Sequence, residues 1–205
     1  MRLAYPLTFA LVVSSCAGVI NVTIDDEFGD PMTGEQISYY PSTFWQQGAD
    51  CGACTAQPTS TKEVYMGTWH DTMFYPASAN VPNSNQGQIL GASVNFTGTA
   101  VFVKCILTGS SRRPNGNTDL TFYLDNEETS TFRQTPNGDT TYEYNQTVFS
   151  ATGLSDAEHN IRLETGHAGQ QALVLLDSII YTSTNDSIKT VNTVNTIPTH
   201  LRDIL

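Results

Sequence analysis

The residues best suited to chemistry lie in the first half of the chain, where aromatic and polar side chains are concentrated. Trp69, His70 and Asp71 are consecutive, and Trp45 and Tyr75 flank them. Aromatic rings can stack on the apolar face of a sugar, while imidazole and carboxylate groups can bond its hydroxyls. These residues therefore predict a ligand-binding site. The alternative is that both tryptophans are buried in the core, as tryptophans usually are.

Hydrolytic chemistry is less well supported by the spacing of the candidate catalytic residues. His70 and Asp71 are adjacent, and adjacent residues on a strand point to opposite faces of a sheet, so they cannot easily serve one reaction. The chain has no Gly-x-Ser-x-Gly sequence. Asp177 falls inside an apolar strand, where we expect a buried carboxylate hydrogen-bonded to a loop; a general acid of raised pKa is the alternative.

The cysteines predict one disulfide and one thiol. Apart from Cys16 near the N-terminus, the chain has Cys51, Cys54 and Cys105. In an oxidising compartment Cys51 and Cys54 are expected to form a disulfide that closes a tight loop. Cys105 lies in an apolar strand and is expected to be a buried free thiol. A zinc site would need a fourth ligand, and a redox-active pair would stand at a helix N-terminus, so neither is expected.

A structural calcium ion is the only cofactor for which the sequence offers candidate ligands. Asp25, Asp26 and Asp30 cluster near the first predicted strand, and calcium prefers carboxylate and other oxygen ligands. Their spacing does not match an EF-hand loop, and carboxylates also cluster by chance in an acidic chain. No other cofactor is expected.

The N-terminal segment predicts secretion. A positive Met1-Arg2 pair, an apolar run and a series of small residues are typical of a signal peptide, here over residues 1–18. The run is shorter than the ~20 residues of a membrane span. A bacterial lipoprotein modified at Cys16 is the alternative, which four glycosylation sequons disfavour. The sequons begin at Asn21, Asn95, Asn145 and Asn185. We therefore expect an extracellular glycoprotein.

The charge balance excludes two classes of partner. The chain of 205 residues has 9 basic and 20 acidic residues, for a net charge of −11, and its only adjacent basic pair is Arg112-Arg113. Nucleic acid and anionic membrane surfaces both require a positive field on the protein. Neither is an expected partner.

Short strands separated by turn residues predict an all-β chain. Val94 and Phe96 alternate with polar residues, which is the period of a half-buried strand. Further strands are predicted at 21–25, 36–40, 67–75, 100–107, 120–124, 131–132, 142–149, around 161–163 and at 172–181, with turns at Gly98 and 153–155. Such a series predicts a sandwich or barrel. The single domain is expected to span residues 19–182, followed by a polar, mostly disordered tail over 183–205.

Several segments also occur in a familiar order. They are Val22-Thr-Ile-Asp-Asp26, Val94-Asn-Phe-Thr-Gly-Thr-Ala-Val-Phe-Val103, Phe122-Tyr-Leu-Asp125 followed by Gly153-Leu-Ser-Asp-Ala-Glu-His-Asn-Ile161, and Leu175-Leu-Asp-Ser-Ile-Ile-Tyr-Thr182. This order resembles the galactose-binding-like jelly rolls of secreted and membrane-anchored proteins of mushroom-forming fungi. The resemblance covers about residues 20–182 and implies a jelly-roll-like antiparallel β-sandwich. Many such proteins continue into a membrane span, which is not expected here. The family is largely uncharacterised, so no catalytic residue is implied.

Three functions remain as hypotheses. The first is a secreted, non-catalytic module that binds extracellular glycans or cell-wall polysaccharide, a role that related architectures often perform through end loops. The second is a structural extracellular or surface protein without a small ligand, which predicts that Trp45 and Trp69 are fully buried and that no polar pocket converges. The third is an enzyme acting on a polysaccharide, which predicts two carboxylates, or a carboxylate and a histidine, converging in a groove.

Overall fold

The computed structural model describes residues 18–54, 56–82 and 84–184. Residues 1–17 of the predicted signal peptide, Asn185 and the rest of the predicted tail lie outside the described residues. The described chain contains nine antiparallel strands, and its helices are short 3-10 turns. The predicted all-β, jelly-roll-like antiparallel sandwich is confirmed. Within the described residues, no helix has the length and apolar character needed to cross a membrane.

The strands vary widely in length. They are β1 (Val19–Asp25), β2 (Ser38–Tyr40), β3 (Gln46–Gln47), β4 (His70–Phe74), β5 (Leu90–Thr108), β6 (Thr118–Leu124), β7 (Glu127–Gln134), β8 (Tyr142–Thr165) and β9 (Ala172–Thr184). The 3-10 turns span Ser42–Phe44, Gly48–Asp50, Tyr65–Gly67 and Ala77–Ala79.

Two long strands connect the layers of the sandwich. The N-terminal part of β5 pairs with β2 and with the C-terminal part of β8, which continues to β6 and β7, and these strands form the first layer. The C-terminal part of β5 pairs with β9 and with the N-terminal part of β8. Strands β1 and β4 pair with successive parts of β9, and β3 pairs with β4. This set forms the second layer.

The main core lies between the two layers. Phe122 of the first layer stacks on Phe149 of the second, with ring centroids 4.8 Å apart, and Phe96 contacts Tyr181 at 5.8 Å. Along β5 alternate residues, among them Val94, Phe96, Val101 and Val103, enter this core, because side chains alternate across a sheet. The alternation around Val94 and Phe96 predicts this arrangement correctly, and both side chains are buried.

A second apolar cluster lies on the outer face of the second layer. Residues 48–54 and 56–67, hereafter the covering loop, fold over that face and bury Trp69, Leu173 and Leu175 together with Val64. The backbone amides of the covering loop at positions 57 and 60 donate to the hydroxyls of Tyr142 and Tyr144. The Cys51–Cys54 disulfide closes a turn within this loop, as predicted. Cys105 is buried and free, also as predicted.

Two predicted turns are wrong. Gly98 lies inside β5, and residues 153–155 lie inside β8. Both positions lie at one irregularity in the pairing of β5 with β8. Gly98 pairs with Ala157 and Ala100 pairs with Thr152, so the register shifts between them and residues 153–155 are left without partners on β5. A Cβ at Gly98 would overlap the Thr182 carbonyl, so the glycine allows close approach of two strands rather than a chain reversal. Strand β9 also continues through Thr184, so residues 183–184 of the predicted tail are strand.

Candidate functional site

The two tryptophans are buried in separate clusters. Trp45 is 5% exposed and packs in the main core, where its ring lies 5.0 Å from that of Tyr39. Trp69 is 3% exposed and packs beneath the covering loop. Neither indole presents an open face to solvent, which is the result that the structural hypothesis predicts.

His70 and Asp71 lie on opposite faces of β4, as their adjacency in the sequence predicts. His70 stacks on Tyr39 at 4.0 Å, and its Nδ1 lies 2.8 Å from Oδ2 of Asp26. The Asp26 carboxylate also accepts a bond from Thr68 Oγ1 at 2.7 Å. Burial raises the pKa of Asp26, against the opposing effect of these bonds. The hydrogen-bonded His70–Asp26 pair joins the segment after β1 to β4.

Asp71 points to the outer face of the second layer, beneath the covering loop. Its side chain is buried, and Oδ2 has no hydrogen-bond partner among the described residues. Burial raises the pKa of Asp71 to about 7. Asp71 is therefore a carboxylate whose ionisation the fold opposes, and it is separated from His70 by the sheet.

The calcium candidates serve as turn residues. Asp25 Oδ1 accepts the backbone amides of Glu27 and Phe28. Asp30 Oδ1 accepts the backbone amides at positions 32 and 33, and Oδ2 accepts the Tyr181 hydroxyl at 2.9 Å. Among the described residues no group of three or more acidic, histidine or cysteine side chains converges to hold a metal ion.

Asp177 anchors the covering loop. Its Oδ1 accepts the backbone amide of Tyr65 at 2.8 Å, which is the loop bond expected for a structural carboxylate. Burial raises the pKa of Asp177 to about 7. Asp177 also lines a groove of about 410 Å³ together with Tyr65 and Met66.

A serine, a histidine and an aspartate meet where β8 crosses the β6–β7 turn. His159 Nδ1 lies 2.7 Å from Asp125 Oδ2, and Nε2 lies 3.4 Å from Ser155 Oγ. The same Nε2 lies closer, at 2.9 Å, to the Ser155 carbonyl oxygen. A carbonyl can only accept, so Nε2 carries a proton and cannot act as the base for the serine hydroxyl. The group instead fastens the turn to β8.

The outer face of the first layer carries a polar network. Glu164 accepts bonds from Tyr40, from Arg162 at 2.6 Å and from His167 at 2.7 Å. Burial raises the pKa of Glu164, but these bonds outweigh it and hold the pKa below its usual value. The Arg162 guanidinium lies 4.1 Å from the Tyr123 ring centroid. The charged groups of this network are thus paired with one another.

A further groove lies at one end of the sandwich. Its volume is about 430 Å³, within the range of small-molecule sites. It lies where the end of β4, the β5–β6 loop and the start of β9 meet, and we call it the end groove. It is lined by Met73, Tyr75, Ser111, Arg112, Arg113, Pro114, Asn115 and Gln171. Tyr75 is the one residue of the sequence-predicted ligand site that the end groove includes.

Hydrogen bonds hold the β5–β6 loop in place beside the end groove. Ser110 accepts the Gly116 amide through its carbonyl and donates its hydroxyl to the Arg112 carbonyl. Asn117 donates its side-chain amide to the Gln171 carbonyl at 2.8 Å, joining the loop to the segment before β9. On the opposite wall, the Tyr75 amide donates to Asn85 at 2.9 Å. Both walls are therefore fixed to the sheet.

Similarity to known proteins is confined to remote structural likeness. No protein-family model matches the chain, and no match is found among curated proteins. A family 35 carbohydrate binding module from Clostridium thermocellum is 11% identical with a TM-score of 0.42, over 80% of this chain and 97% of that module. An exo-β-1,3-galactanase from Phanerochaete chrysosporium is 12% identical with a TM-score of 0.41, over 78% of this chain. A family two carbohydrate esterase from Clostridium thermocellum is 16% identical with a TM-score of 0.31, over 46% of this chain.

These likenesses do not decide the function. The chain spans 28% of the length of the galactanase and 25% of that of the esterase. Because each TM-score is below 0.5, none of the three carries an argument about this chain. The resemblance to fungal galactose-binding-like jelly rolls stays a prediction from the sequence.

Proposed function

We propose that this chain is a secreted, non-catalytic carbohydrate-binding module whose ligand lies in the end groove. The observation that carries the proposal is the composition of the groove. One aromatic ring, two guanidinium groups, two amides and a hydroxyl converge on a concave surface. An aromatic ring flanked by planar hydrogen-bonding groups suits the alternating apolar and hydroxyl-bearing surfaces of a sugar.

Some polar groups of the end groove remain available to a ligand. Asn115 uses its Oδ1 to accept the Asn117 amide at 3.1 Å, and its Nδ2 bonds no described residue. The Tyr75 hydroxyl and the Ser111 hydroxyl likewise bond no described side chain or carbonyl. Since the backbone beside them is already fixed, little ordering is required when a sugar binds.

The lining also supports a non-catalytic role. The residues that line the end groove include no carboxylate and no imidazole, the groups that most often perform acid–base catalysis on glycosides. The His70–Asp26 and His159–Asp125 pairs lie elsewhere and fasten turns and strands together. Binding without bond cleavage is the function that this chemistry favours.

Secretion and glycosylation are compatible with an open end groove. Asn21, Asn95 and Asn145 are exposed, and none of them lines the groove. N-linked glycans at these positions would therefore leave Tyr75 accessible.

Replacing Tyr75 with alanine is expected to weaken glycan binding about tenfold, because the aromatic face is lost while the groove backbone stays in place. The measurement compares retention on insoluble polysaccharides and on a glycan array for the wild type and Tyr75→Ala. Tyr65→Ala is the matched control, since Tyr65 is 38% exposed on a different groove. Binding equally strong in both variants would place the ligand elsewhere. A folded wild type that binds no glycan would leave the structural hypothesis, which the buried tryptophans also fit.

A further inference from the structure

Arg112 and Arg113 differ from the other arginines of the described residues. Arg133 pairs with Asp119 at 2.8 Å, and Arg162 pairs with Glu164 at 2.6 Å. Arg112 and Arg113 form no ion pair within the described part of the chain, and both side chains are exposed. Two adjacent guanidinium groups therefore face the end groove without a counter-charge.

The surroundings of this pair make it unusual for this chain. The protein carries 20 acidic residues and a net charge of −11, yet no acidic residue lines the end groove. The groove is a local positive site on a negative protein. An overall negative charge repels polyanions, so an anionic ligand would be drawn only to a site of this kind.

The loop that carries the two arginines has an unusual backbone conformation. Arg113 has a φ of 42°, in the left-handed region that is unfavourable for a side-chain-bearing residue. The conformation persists because Pro114 is buried and the bonds of Ser110 and Asn117 fix the loop on both sides. Such local strain is often retained at ligand sites.

We infer that the end groove takes an acidic sugar, in which a carboxylate binds Arg112 and Arg113 while the sugar ring packs against Tyr75. Guanidinium groups match the planar, two-oxygen geometry of a carboxylate. This inference rests on the proposed function, and it adds the charge of the ligand to it.

The test uses two polymers with the same backbone whose carboxyl groups are either free or methyl-esterified. Polygalacturonate and its fully methyl-esterified form share one backbone, and only the first carries free carboxylates. The wild-type chain is expected to bind polygalacturonate about tenfold more tightly by isothermal titration calorimetry, a difference of ~1.4 kcal/mol. The preference should shrink as sodium chloride is raised, because exposed charges are screened by salt.

Charge-matched variants locate the effect. Arg112→Gln and Arg113→Gln are each expected to remove most of the preference, while Arg133→Gln, which removes the same charge from the β7 edge, should retain it. A preference that survives the Arg112→Gln, Arg113→Gln double variant overturns the inference. So does Tyr75-dependent binding of neutral glycans with no preference for the free acid, which leaves the proposed function in place. Absence of binding to both polymers and to every glycan on the array overturns the proposed function itself.

Discussion

Trp69→Ala is expected to lower the free energy of unfolding by about 3–5 kcal/mol, the range for removal of a buried tryptophan. Trp69 is 3% exposed and fills the cluster between the covering loop and β9. The position of Gly48 shows how closely the loop approaches, because a Cβ there would overlap the indole nitrogen. Without the ring, Val64 and Leu175 lose their packing partner and the covering loop loosens.

Urea unfolding followed by the fluorescence of Trp45 measures this effect. Trp69→Phe is the matched variant and should retain a larger part of the stability, because it keeps an aromatic ring in the cluster. Tyr65→Ala, at an exposed position of the same loop, is expected to change the stability little. If Trp69→Ala unfolds like the wild type but no longer binds glycans, the indole is a ligand platform and the burial described above is wrong.

Asp71→Asn is expected to stabilise the protein by about 2–4 kcal/mol at pH 8 and to have little effect at pH 4. Burial raises the pKa of Asp71 from 3.8 in the unfolded chain to about 7 in the fold. Between these values the folded state binds the additional proton, so the contribution of Asp71 to stability falls as the pH rises from about 4 to about 7. Asparagine has nearly the same shape and does not ionise, so it removes this loss.

Chemical denaturation of the wild type and Asp71→Asn at a series of pH values tests this prediction. The difference in stability between them should grow through the interval from about pH 4 to pH 7 and then level off. Asp50→Asn, at an exposed aspartate of the covering loop, is the control for the substitution itself. A constant difference for Asp71→Asn would show that the carboxylate ionises freely in the folded protein.

The fold could be predicted from the sequence to a large extent. Alternation at Val94 and Phe96 and the apolar run at 172–181 identify central strands, because burial between two layers imposes these patterns. The role of Gly98 could not be predicted. A glycine in a strand pattern indicates either a turn or close approach of another backbone, and only the position of Thr182 decides between them.

The candidate site was predictable only in part. Tyr75 was among the expected ligand residues, but its partners in the end groove lie some 40 and 100 positions further along the chain, at 111–115 and 171. Their proximity follows from the antiparallel pairing of β4 and β5 with β9, which a single sequence does not reveal. The sequence predicts Trp69 at a ligand site because aromatic and polar side chains are concentrated around it in a largely polar part of the chain. The covering loop instead folds back and uses its few apolar residues, including Val64, to bury the ring.

The most direct test of the account is to locate the bound sugar. Backbone amide shifts of the isotope-labelled protein would be followed by NMR during titration with neutral and acidic oligosaccharides, one at a time. We predict that at least one of them shifts the amides of residues 73–75, 111–113, 115 and 171. Two results would contradict the assignment of the end groove as a carbohydrate-binding site. One is a set of shifts confined to the outer face of the first layer, around Tyr40 and Tyr123, and the other is the absence of shifts with any oligosaccharide.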